Sequence, residues 1–160
     1  MDKIKNNNAK QILNMCAYFA PDKIPVNIFV RGKDALPSDL KKNIEDDLKR
    51  NIILNVLTRH SLLKCEKEHD LLSKEKRVLY MHRLLQEVIQ NNIGTDYSCL
   101  AHCLNLMQKV IDWKDYQKES IASFRLEAPH AIAVAEKSSV IISKDYEIIN
   151  NVVHIFYGNL

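Results

Sequence analysis

From His60 to Gln90 the chain sets two short apolar stretches around a crowded polar one and then changes period. Ser61 to Cys65 and Arg77 to Met81 read as strands, and Glu66 to Lys76 between them, dense in Glu, Lys, His and Asp, reads as the solvated tip of a hairpin. Leu84, Leu85, Val88 and Ile89 then recur at helical spacing, which starts a helix at or just after His82. Only helices are expected before and after this hairpin. A two-stranded ribbon is marginal alone in water, so it must pack on the flanking helices.

Ahead of it, Met1 to Asn8 is polar and reads as frayed. Ala9, Ile12, Leu13, Cys16 and Ala17 make one face of a helix that ends near Pro21, because a residue before proline is pushed out of the helical region. Pro21 to Phe29 reads as a short helix carrying Val26, Ile28 and Phe29 inward, and Arg31 to Leu36 as a loop containing Gly32. A helix starts at Leu36-Pro37-Ser38-Asp39-Leu40. Ile44, Leu48, Ile52, Ile53, Val56 and Leu57 continue its period, with a break near Glu45 to Asp47 where Asp46 or Asp47 caps a new helix.

After the hairpin, Asn91-Asn92-Ile93-Gly94 is a helix stop, and Thr95 or Asp96 caps a helix whose inward face takes Leu100, Ala101, Leu104, Met107 and Ile111. Ile121 to Ala135 is helical and bent or restarted at Pro129, and Ile148, Ile149, Val152, Val153 and Phe156 mark a last helix. The fold class expected is mainly α, a winged-helix domain with a small β-hairpin wing over residues 9–93, followed over residues 94–160 by antiparallel α-helices opening a repeat array.

Composition narrows this little further. The 160 residues are 46% hydrophobic and 27% charged, an ordinary globular balance, and 3 Gly with 4 Pro suits a helical chain. A net charge of +3, from 23 basic against 20 acidic residues, does not call for nucleic acid. No run approaches the roughly 18 apolar residues of a membrane span, and MDKIKNNNAKQIL lacks a secretory core, so a cytoplasmic protein with no membrane partner is expected. Cys16, Cys65, Cys99 and Cys103 fall mostly at apolar helical positions, as reduced, buried thiols would.

Five stretches in order, AKQILNMCAYFAPDKIPVNIF, LPSDL, LTRHSLLKC, MHRLLQEVIQ and RLEAPHAIAVAE, carry a resemblance over roughly residues 9 to 137. The chain resembles the winged-helix segment of STAND or NB-ARC signal-transducing NTPases, in particular those followed by tetratricopeptide repeats. The closing IINNVVHIFYGNL is similar to half of one such repeat, cut off past Gly158. The resemblance implies that His82, in Met81-His82-Arg83, contacts the β-phosphate of ADP and holds the parent protein closed. An imidazole at a helix N-terminus combines a donor with backbone N–H groups and the positive end of the dipole. The bland alternative is that His82 only caps or packs at the junction.

The chain has no G-x-x-x-x-G-K-[ST] loop and no acidic strand end for magnesium, so it is not expected to be an enzyme on its own; ADP or ATP would belong to an NTPase domain in cis. Cys99, Cys103 and His130 or His69 lack the spacing of a zinc site, and no cysteine has the setting of a nucleophile, so neither metal ligands nor catalytic residues are expected. Lys49, Arg50, Arg59, Lys74, Lys76 and Arg77 would face DNA in a winged-helix transcription factor, but Glu45, Asp46, Asp47, Glu66, Glu68, Asp70 and Glu75 interleave with them. Three roles stay open: a non-catalytic regulatory and connecting segment of a STAND-type NTPase, a free-standing scaffold for a protein or peptide, and a DNA binder.

Overall fold

The computed structural model describes residues 2–69, 75–111 and 118–141. These residues are mainly helical and carry a small antiparallel sheet. Helix α1 spans Asp2–Cys16, strand β1 Ile24–Pro25, α2 Asn27–Arg31, α3 Ser38–Glu45 and α4 Asp47–Arg59. Strands β2, Lys64–His69, and β3, Glu75–Tyr80, follow, and then α5 Arg83–Ile93, α6 Ser98–Val110 and α7 Lys118–Ile141. Among the described residues no helix is long and apolar enough to cross a membrane.

The hairpin is present, with its ladder shifted towards the polar tip. Lys64 pairs with Tyr80 and His69 with Glu75, so charged residues read as a turn extend the strands. They can do so because both faces of that end are wet and opposite charges meet across it, as Lys67 does with Glu75 at 3.0 Å. The sheet also has a member ahead of the hairpin, against the expectation of helices only. Ile24 pairs with Leu79 and Pro25 with Val78, giving the order β1-β3-β2. Pro25 is tolerated because β1 is an edge. The central strand β3 buries Val78 and Leu79 completely.

Helix α1 reaches back to Asp2, so the polar start is not frayed, and Asn8 is buried. It ends at Cys16, ahead of Pro21. Gly32 follows α2 where α6 crosses: a Cβ there would sit 2.8 Å from Leu106 Cγ, so the residue is needed for close approach. Lys33–Ala35 is one 3-10 turn in the segment read as loop. The break between α3 and α4 falls as expected, with the Asp46 carboxylate accepting from the Leu48 and Lys49 amides. Gly94, at φ 63°, ends α5, and the Asp96 carboxylate accepts from the Ser98 amide at the start of α6.

Helical spacing alone left open which faces of α4 and α5 lie inside, and two expectations, Ala101 inward and a restart at Pro129, need correction. Leu84 and Val88 are 64% and 53% exposed, because α5 turns Leu85, Gln86 and Ile89 inward instead. Leu48 is likewise exposed on α4, and Ala101 on α6, where Cys103, Leu106 and Val110 fill the interior. Pro129 neither starts nor restarts a helix; it lies inside α7. It removes one backbone donor but sits on the exposed side, where water can satisfy the carbonyl left over.

One apolar cluster joins Ile12, Phe19, Ile28 and Phe29 to Leu79, Leu100, Leu106, Ala131 and Val134, and is therefore continuous across position 93. Each fully buried Val, Leu, Ile or Phe among them contributes about 1.5–3 kcal/mol. The last expected helix, with Ile148 to Phe156 and Gly158, lies outside the described residues.

Candidate functional site

The site is built where β3 passes into α5. The Met81 amide donates to the Pro21 carbonyl at 2.9 Å and the Met81 side chain is buried, which fixes the exit of the strand. His82 follows in extended conformation as the N-cap of α5, and its carbonyl accepts from the Leu85 and Gln86 amides. The ring Nδ1 accepts from the Leu84 amide at 3.2 Å. In the neutral ring the proton therefore sits on Nε2, so the exposed imidazole offers a donor to whatever approaches. Capping and an outward donor coexist in this geometry.

His82 lines an open cleft of about 830 Å3 between the end of α4, the start of β2 and the junction. Asn55, Thr58, Ser61, Lys64, Tyr80 and Asp22 supply its polar wall, and Leu62, Met81 and Leu85 its apolar one. The Tyr80 hydroxyl donates to Glu68, which pushes the phenol pKa up; that same bond, with help from Lys23, pulls Glu68 down. Lys64 pairs with Glu66 at 2.5 Å. Helix α5 is pinned behind the site by buried Gln86, whose amide donates to the Cys16 and Phe19 carbonyls at 3.0 and 2.9 Å, and by Gln90, which donates to the Ala17 carbonyl.

The other candidate residues are dispersed. Cys103 is buried with its thiol against the Met15 carbonyl, Cys99 is half-buried, and the His130 ring bonds to the Lys23 carbonyl. Burial pushes the Cys16 and Cys103 thiols well up, the reverse of what a nucleophile needs. Among the described residues no three His, Cys, Asp or Glu side chains group as metal ligands. Of the basic set, Arg50 bonds to the Ile44 carbonyl and to Asp47, Arg77 to the Asn51 side chain, and Lys49 lies 3.9 Å from Asp46. Lys74 is outside the described residues.

The Arg31–Glu127 pair went unread in the sequence, and His130, weighed there as a metal ligand, has a different setting. Glu127 on α7 is buried and bonds Arg31, which also donates to the Val110 carbonyl at 2.7 Å. Burial raises the Glu127 pKa, and the Arg31 charge opposes that rise. His130 packs edge-on against Phe19, with ring centroids 5.9 Å apart. The only signal for Glu127 was a polar residue on an apolar helical face.

The fold and site thus define a mainly helical protein with a three-stranded sheet and a histidine-capped strand-to-helix junction. Residues 1–98, well over half of the chain, match the family described as Domain of unknown function (DUF7779), and the chain belongs to that family. No curated protein and no solved structure matches it.

Proposed function

We propose that this chain is the regulatory and connecting segment of a STAND-type NTPase, in which a winged-helix unit couples nucleotide state to an array of helical repeats and does no chemistry itself. The observation that carries the reading is His82: a side chain exposed at a helix N-terminus, its Nδ1 occupied by the Leu84 amide and its Nε2–H left to donate. A donor set over the positive end of a helix suits a phosphate oxygen. Helices ahead of a hairpin, and α7 packed on the same core, agree with a unit that passes a signal along the chain. The DNA-binding reading has less support, because Arg50 and Arg77 are engaged within the chain.

The test is the release of a fluorescent ADP from the parent NTPase domain, with this chain present. His82→Asn keeps a good N-cap and removes the imidazole. Loss of one hydrogen bond to a charged group is expected to speed release by roughly 10- to 100-fold. Release unchanged by the substitution, in a chain that remains folded, would remove the proposed role of His82.

A further inference from the structure

The connector between α1 and β1, residues 17–23, is gripped from two sides through its own carbonyls. On one side stand the residues around His82. The Met81 amide takes the Pro21 carbonyl, Gln86 takes that of Phe19 together with that of Cys16 at the end of α1, and Gln90 takes that of Ala17. On the other side stands α7. His130 Nε2 donates to the Lys23 carbonyl at 3.1 Å, and Lys137 reaches the same Ala17 carbonyl as Gln90 at 3.4 Å.

Lys23 itself is held at φ 56°, in the left-handed region that a side chain favours little. Its ammonium pairs with Glu68 of β2 at 2.9 Å, and Glu68 also receives the Tyr80 hydroxyl beside His82. A strained residue stays in place only where its surroundings hold it, and here α7 and the hairpin do so together.

We infer that residues 17–23 form a two-sided coupling connector, through which the seating of α7 and the geometry of the His82 junction control one another. Withdrawal of His130 and Lys137 lets Lys23 return to an ordinary backbone conformation. The Pro21 carbonyl then moves away from Met81, and the cap of α5 loosens. This rests on the proposed role of His82 for its biological meaning, although the coupling itself is a property of this chain alone. His82 and the connector have no direct bond in this scheme: Met81, Gln86 and Gln90 are positioning residues.

Amide hydrogen exchange on the isolated chain tests it without nucleotide, so failure here leaves the His82 reading standing, and the reverse. The double substitution His130→Asn with Lys137→Met is expected to speed exchange at Met81 and the first turn of α5 at least tenfold. Ile44→Ala, a core truncation on α3, serves as the control for lost global stability and, at matched stability, is expected to leave those amides unchanged. Because coupling is reciprocal, Gln90→Ala should speed exchange in α7 around residues 130–137. If the double variant does not fold, Lys137→Met alone is read, with a rise of about threefold expected. Unchanged exchange at Met81, or an equal rise in the Ile44→Ala control, would overturn the coupling.

Discussion

Among single residues, His130 gives the fold a pH dependence of known sign. Burial lowers its pKa from the usual 6.5 to about 4, against weaker support for the charged ring from the Lys23 and Ala20 carbonyls and from Asp22. Among the described residues its Nδ1 has no partner within hydrogen-bond geometry. A depressed folded pKa means that the unfolded chain binds the proton more tightly. The stability is therefore complete above about pH 6.5 and is lost as pH falls through 4, by about 3 kcal/mol in all. Glu127 acts in the opposite sense, since its raised pKa favours the fold in acid. The clean quantity is thus the difference between the natural chain and His130→Asn. In urea melts from pH 7.5 to 4, that difference is expected to shrink steadily towards acid. Residues with a local task were legible in the sequence, as Asp46 and His82 were, because capping needs only neighbours within a few positions. Gln86 and His130 were not, since their partners lie 67 and 107 positions away.

At the scale of elements, α7 shows the limit of rules based on local pattern. Pro129 argues for a bend or a new start, yet the helix runs through it, because buried Glu127, His130, Ala131 and Val134 hold both halves against the core. Tertiary packing overrides a local cost of roughly 3 kcal/mol. Pro129→Ala restores the missing N–H and loses little contact, since the ring is exposed. The substitution is expected to stabilise the chain by about 1–3 kcal/mol, seen as a higher thermal midpoint. The hairpin was found from two apolar stretches around a charged tip and α5 from its period, but which face of α5 lies inside was not. Leu84 and Val88 complete an apolar stripe, whereas the docking of Gln86 and Gln90 on the end of α1 turns that stripe partly to solvent. Strand β1 gave no period at all, being two residues long, one of them proline.

Across the whole molecule, the mainly helical class and a small sheet could be read from sequence, because helix formers and one pair of apolar stretches around a charged tip dominate the pattern. The junction of α1, α5 and α7 could not, since it depends on three distant segments meeting at a few carbonyls. That junction gives the proposed function its physical content: a phosphate contact at His82 would bear on the same backbone that seats α7. The most direct test of this account is the reading frame on both sides of the segment. A connecting segment of a STAND-type NTPase requires a G-x-x-x-x-G-K-[ST] NTPase domain encoded upstream and repeats of about 34 residues downstream. A frame that encodes neither, with no affinity of the chain for an NTPase domain supplied separately, would contradict it.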